Sequence, residues 1–341
     1  MNNRTPASWS LDHINARTLW ASGLTGNGVL VAMIDTGVNY HHPDLKGQLW
    51  SGGETYPRHG YNFIDHNIET FDTLGHGTSV ASQIVGNGRC GTLTGVAPGA
   101  TLMCLKVDND PSQVWQAFEF ALAHNAHVIS MSKTFKQQPA SKYWRQLCQR
   151  VLKHGVLHAN SAGNQGNNIC NAPVPENIGA PANCPPPTRC AGATSVISCG
   201  VTNQQDELMS VSGTGPVDWS QPPFDDYPYS QGKGLIKPDL CVPGSATMAC
   251  NVRYPARSDR PYRQFLGTSS AAAHLGGCLA LLAQASLRSG QPISPVRVYE
   301  ALTASAIKIK GQCQVPENRY GAGRIDVYAA YIYGLQRDWW Y

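Results

Sequence analysis

Three reactive side chains stand in glycine-rich segments, each at the expected edge of a regular element. Asp35 closes an apolar run in Ile34-Asp35-Thr36-Gly37. His76, in Gly75-His76-Gly77-Thr78-Ser79-Val80-Ala81-Ser82, opens a segment whose small residues allow close helix packing. Ser269, in Gly267-Thr268-Ser269-Ser270-Ala271-Ala272-Ala273-His274, opens another. A serine there sets its hydroxyl and backbone N–H groups at the positive end of a helix dipole, where a developing oxyanion is stabilised. Taken singly, each has an ordinary reading: an Asp capping a helix, a surface His between glycines, a common Gly-Thr-Ser tripeptide. Together, an acid, an imidazole and a hydroxyl at three such edges are the parts of nucleophilic catalysis.

The elements that must position them alternate. Val29-Leu30-Val31-Ala32-Met33-Ile34 reads as a strand buried on both faces, as do residues 102–107, 127–132 and 155–160. Helical patterns fall between them at 78–86, 112–125 and 141–153. From about 161 to 265 short strands broken by Gly, Pro and Asn take over, and helical pattern returns at 269–288, 294–305 and 324–335. This βαβα order predicts an α/β fold in three layers, a mainly parallel central sheet with helices on both faces. Carboxyl ends of such strands are where sites form, and Asp35 lies at one. No internal repeat or linker interrupts the chain, so residues 1–341 are expected to form one catalytic domain. The aromatic tail Asp338-Trp339-Trp340-Tyr341 is expected to pack against the body.

Composition narrows the classes. The 341 residues are 42% hydrophobic and 14% charged, with a net charge of +4, a balance suited to a packed core and opposed to disorder. Basic residues are scattered, so no nucleic-acid partner is expected. No run of consecutive apolar residues reaches membrane-span length, and Met1-Asn2-Asn3-Arg4-Thr5-Pro6 lacks a signal-peptide core. The cytoplasm is the expected location, a secreted mature fragment the alternative. Eleven cysteines leave at least one unpaired, and Cys104, Cys241 and Cys278 have the surroundings of reduced core thiols. Cys170, Cys184 and Cys190 could pair or bind metal, but their spacing fits no zinc signature and loop thiols are the plainer reading.

The order Asp, His, Ser is that of subtilisin, not of chymotrypsin or the α/β-hydrolases. Around it, Ser10-Leu11-Asp12-His13-Ile14-Asn15-Ala16, His42-Pro43-Asp44-Leu45, Gly95-Val96-Ala97-Pro98-Gly99-Ala100, Ser161-Ala162-Gly163-Asn164, Lys237-Pro238-Asp239-Leu240-Cys241-Val242-Pro243-Gly244 and Tyr320-Gly321-Ala322-Gly323-Arg324-Ile325-Asp326 follow one another. With these landmarks the chain resembles the subtilase family of serine peptidases along nearly its whole length. The resemblance implies a subtilisin-like fold and acyl transfer, with Ser269 as nucleophile, His76 as general base and acid, and Asp35 orienting the imidazole. It implies an oxyanion hole made by Asn164 and the Ser269 N–H. Substrate-binding residues carried over are Ser130, Met131, Ser132, Lys133, Ser161, Ala162, Gly163 and Gly179. A glycine floor at Gly179 would admit a large apolar residue before the cut.

Departures from the family pattern are informative. Ser270 and Ala273 replace a Met and a Pro beside the nucleophile, and activity is expected to survive. Lys133-Thr134 replaces Leu-Gly on the substrate-pairing strand, which either favours acidic substrate side chains or sends Lys133 to solvent. The connection Asp108–Val114 is short, and the aromatic segment Trp219–Tyr229 either replaces its missing edge or is a surface insertion. Arg89, in the loop Gly86–Thr92, stands where a calcium ligand is expected, and Asp44 reads as its partner. No calcium is therefore expected at that loop, while a weak site elsewhere stays open; no cofactor and no other metal are expected. No propeptide is evident. The expected partner is a peptide or protein substrate, and the expected reaction is endopeptidase cleavage in a dedicated processing role. The alternatives are acyl transfer to an amine, as in a macrocyclase or transpeptidase, and a non-catalytic peptide-binding regulator.

Overall fold

Strand β1 (Leu30–Asp35) is buried from its second residue onward, and successive side chains enter opposite cores. Val31 and Met33 face one layer of helices, while Ala32 and Ile34 face the other. This period of two on a strand covered on both sides is why the sequence reads as an unbroken apolar run. A computed structural model describes residues 8–136, 141–168, 172–220 and 222–341. Cys170 lies outside the described residues.

Six further strands complete a parallel sheet: β2 (Gly60–Asn62), β3 (Thr101–Lys106), β4 (Val128–Met131), β5 (Leu157–Ser161), β6 (Val196–Thr202) and β7 (Leu240–Pro243). Their order is β2-β3-β1-β4-β5-β6-β7. Strand β1 is flanked by β3 on one side and β4 on the other, so the winding reverses about it, and its carboxyl end is where a site is expected in such a sheet. An antiparallel pair, β8 (Thr247–Cys250) and β9 (Tyr262–Phe265), stands apart from this sheet.

Helices α1 (Trp9–His13), α2 (Ala16–Ala21), α3 (Pro43–Lys46), α4 (His76–Val85), α5 (Pro111–Ala123), α6 (Ser141–Lys153), α7 (Thr268–Arg288), α8 (Pro295–Ala304) and α9 (Val327–Leu335) cover the faces. Helices α5 and α6 pack on one face through Val114, Phe118, Trp144 and Val151. Helices α4 and α7 pack on the other through Val80, Ile84, Leu275 and Leu279. The three-layer α/β arrangement is the one the strand–helix alternation predicts. Strand and helix ends differ from the sequence reading by a few residues, mostly at frayed turns.

Helix α7 is long and apolar enough to cross a membrane by length and composition alone. It is buried along almost its whole length and lies beneath β4, β5 and β6. It is the central core helix, and small residues let it approach the sheet. A Cβ on Gly276 would come within 2.7 Å of Ser130 Oγ. The aromatic tail folds back as expected: Trp340 is buried, stacks on Tyr331 and donates its Nε1–H to the Tyr331 carbonyl at 2.8 Å.

Candidate active site

Asp35 is the last residue of β1 and is wholly buried. Its Oδ1 accepts the Thr36 N–H at 2.7 Å and the His76 Nδ1–H at 2.7 Å. Burial pushes its carboxyl up, but the His76 charge and hydrogen bond, Lys133 and the Thr36 N–H together hold it below its ordinary value. For His76, burial pushes the imidazole down, yet the charge and hydrogen bond of Asp35 outweigh it and the net direction is up. Lys133 opposes that rise. The pair is therefore an oriented, basic imidazole with Nε2 left to accept a proton.

Helix α4 presents His76 because a second aspartate builds its first turn. Asp72 Oδ1 accepts from Leu74 N, Gly75 N and Thr36 Oγ1 at 2.8–3.1 Å, and Oδ2 from Thr78 N and Thr78 Oγ1 at 2.7–2.8 Å. This buried residue was missed in the sequence reading. Its signal is an acid four residues ahead of a helix start, the pattern that satisfies orphan N–H groups. Thr36 Oγ1 in turn accepts the Gly77 N–H at 2.9 Å, stitching the end of β1 to α4. Gly77 must be glycine: a Cβ there would sit 2.1 Å from the Gly37 carbonyl oxygen.

Ser269 is the second residue of α7. Its Oγ donates to the Ser132 carbonyl at 3.5 Å, and Ser132 Oγ returns a bond to the Ser269 carbonyl at 3.2 Å. Asn164 follows β5, with Oδ1 fixed by the Thr268 N–H at 3.0 Å and the Thr268 hydroxyl at 2.9 Å. Pinning Oδ1 leaves the Nδ2 protons to be offered elsewhere. Thr36, His76, Asn109, Ser132, Lys133, Thr134, Ser161, Gly163, Asn164, Gln165, Thr268 and Ser269 line one polar cleft of about 250 Å³.

The substrate-binding expectations divide. Ser132, Lys133, Ser161 and Gly163 line the cleft. Ser130 and Met131 do not: both are fully buried in β4, Met131 facing α5 and α6 and Ser130 lying against Gly276 of α7. Ala162 is likewise a core residue. Gly179 packs against the segment around Phe135, where an added Cβ would lie 2.6 Å from the Phe135 carbonyl oxygen. Over Gly163 the space is taken, since a Cβ there would lie 2.2 Å from Gln165 Oε1 and 3.1 Å from Thr134 Oγ1. Gly179, the expected glycine floor, is not among the residues that line the cleft. Gln165 and Thr134, neither legible from a motif of small residues, stand beside Gly163 in the cleft wall instead.

The flanking expectations also resolve. Asn109, in the short connection before α5, accepts a hydrogen bond from Lys133 Nζ at 3.3 Å. The Arg145 guanidinium lies over the rings of both Trp219 and Phe224, which meet edge to face, and Arg145 Nη1 pairs with Asp226 at 2.8 Å, so that segment is anchored on α6. Gln221, within it, is not among the described residues. Asp44 does not pair with Arg89. Its Oδ1 accepts the Cys90 N–H and its Oδ2 the Tyr262 hydroxyl, both at 2.7 Å, while Arg89 is exposed and its guanidinium lies near Gly47.

The sequence profile of the subtilase family matches residues 26–323 of this chain. The chain belongs to the subtilase family. The "Major intracellular serine protease" of Bacillus subtilis is 28% identical over 79% of this chain and 72% of its own length. "Subtilisin Savinase" of Lederbergia lenta is 29% identical over 94% of this chain and 97% of its own. "Bacillopeptidase F" of Bacillus subtilis is 27% identical over 94% of this chain, which spans only 22% of that protein. The subtilase described here is thus a serine peptidase, a hydrolase of peptide bonds. Its relatives include proteases named intracellular and extracellular, so both locations occur in the family.

Proposed function

We propose that this subtilase is an endopeptidase of narrow specificity that cleaves through an acyl-enzyme on Ser269. The Ser269 hydroxyl turns from Ser132 to His76 Nε2 when substrate binds, and Oγ attacks the scissile carbonyl carbon as Nε2 takes its proton. Asp35 keeps the imidazole in the tautomer that needs this proton and stabilises the imidazolium. The oxyanion accepts hydrogen bonds from Asn164 Nδ2 and the Ser269 N–H at the start of α7. Collapse breaks the C–N bond, and His76 gives its proton to the departing amine. Water, deprotonated by His76, then attacks the ester and releases Ser269. What carries the reading is the contact at 2.7 Å between buried Asp35 and His76, which faces a cleft that Ser269 and Asn164 also line.

Cleft shape supports the narrow specificity. Thr134 and Gln165 meeting over Gly163 favour a small residue, glycine or alanine, immediately before the cut. Lys133, the cation lining this cleft, favours an acidic side chain nearby. Hydrolysis is the fate of the acyl-enzyme because the lining is polar and admits water. A reducing compartment suits the chain, since the ten described cysteines are all free and seven of them are buried.

The test is a peptide library cut by the wild type and by Ser269→Ala. Cleavage after Gly or Ala is expected to exceed cleavage after Phe or Leu by roughly tenfold or more, a difference of at least ~1.4 kcal/mol in transition-state binding. Thr134→Gly combined with Gln165→Ala should narrow that gap. Broad cutting after large aromatic residues by the wild type contradicts the specificity, and cutting by Ser269→Ala contradicts the mechanism.

A further inference from the structure

Just past the carboxyl end of α4, the end opposite His76, a fully buried carboxylate has no cation. Asp44, in the first turn of α3, is wholly buried, and none of the ion pairs among the described residues includes it. A buried, unpaired carboxylate is costly, and neutral hydrogen bonds from Tyr262 and the Cys90 N–H compensate only part of that cost. Two further ligand types stand beside it. A nitrogen of His42, an oxygen of Asp44 and the sulfur of Cys90 all lie within 4.8 Å of one another.

The surroundings are those of a ligand shell. His42 is fully buried, and its Nε2 lies 3.0 Å from the Pro261 carbonyl, which can only accept. That bond fixes the tautomer, leaving a lone pair on Nδ1, which in this structure takes the Asp44 N–H at a long 3.2 Å. A backbone carbonyl on the far ring nitrogen is the arrangement that orients metal-ligating histidines. Asp44 is held by two donors, the Cys90 N–H and the Tyr262 hydroxyl. Cys90 is partly exposed, which gives a cation a way in.

We propose that His42, Asp44 and Cys90 bind one thiophilic divalent cation of the Zn²⁺ class, with water as fourth ligand. On binding, the Cys90 thiol proton leaves to solvent and the imidazole Nδ1 exchanges its weak backbone bond for the metal. Calcium does not fit: it requires six to eight oxygen donors, and two of these three donors are nitrogen and sulfur. The site ties α3 and the loop after α4 to each other, beside β9, so its role is to brace the far end of the helix that carries His76.

Cobalt(II) added to metal-free protein is expected to produce an intense near-ultraviolet thiolate-to-cobalt band that saturates at one equivalent and is displaced by zinc. Cys90→Ser should abolish it, and His42→Asn, which keeps a capping acceptor, should weaken binding at least tenfold. A second readout needs no variant: zinc should slow iodoacetamide alkylation of Cys90 at least tenfold, mapped by mass spectrometry, while exposed Cys190 and Cys313 react as before. No saturable band, a band unchanged in Cys90→Ser, or unaltered alkylation of Cys90 would overturn the site.

Discussion

Lys133 acts on the chemistry without entering it. Its charge lowers the His76 pKa that Asp35 raises, so replacing it by methionine should move the acid limb of the kcat/KM–pH profile to higher pH. An unchanged limb contradicts the placement of Lys133 beside the dyad. Asp72 positions His76 through five hydrogen bonds from the start of α4 and its neighbours. Asp72→Ala should cost about 2–4 kcal/mol of stability, read by urea denaturation, and lower kcat more than it raises KM. Removing the Asn164 amide should reduce kcat by ~10²–10³, the size found for one such donor in a subtilisin. Thr268→Val, which removes one of the two donors that hold Oδ1, should reproduce part of that loss. A reactive residue was legible here because it must stand at a turn beside glycine. Asp72 was equally visible as a cap and was overlooked because a capping acid does no chemistry itself.

Among elements, sheet and helices were legible from periodicity, since burial on both faces leaves continuous apolar runs and α7 leaves a stripe of small residues. Gly276→Ala tests that packing. Alanine favours a helix by roughly 1 kcal/mol, but its Cβ would sit 2.7 Å from Ser130 Oγ on a buried strand. The net effect should be destabilisation by about 1–3 kcal/mol, measured by urea midpoint. The cleft wall was less legible. Ser130 and Met131 share a motif with Ser132, yet strand alternation sends them into the two cores, and only the residues beyond the strand end reach the cleft. Asp44 and Arg89 show the same limit: a pairing guessed from one loop gave way to Tyr262, which β9 delivers from 218 residues along the chain.

For the molecule as a whole, buried histidines set an acid limit. Burial pushes His158 down to about 3 and His274 down to about 4, with Asn160 and the Ser270 carbonyl opposing only in part. Both folded values lie below the unfolded one, near 6.5, so the unfolded chain binds more protons as pH falls. Stability attributable to them is present above pH ~6.5 and is lost by about 1.4 kcal/mol per pH unit for each, down to their folded values. Urea midpoints should therefore fall between pH 6 and 4, and less steeply in His158→Gln. A midpoint flat across that interval contradicts the burial of neutral imidazoles.

The proposed chemistry turns on one serine among many being the nucleophile. Reaction with a fluorophosphonate, followed by intact mass and peptide mapping, asks this directly. The expected result is a single covalent adduct on Ser269, lost in Ser269→Ala and formed slowly in His76→Ala. Absence of an adduct on the folded wild type, or an adduct on another serine that persists in Ser269→Ala, would contradict it.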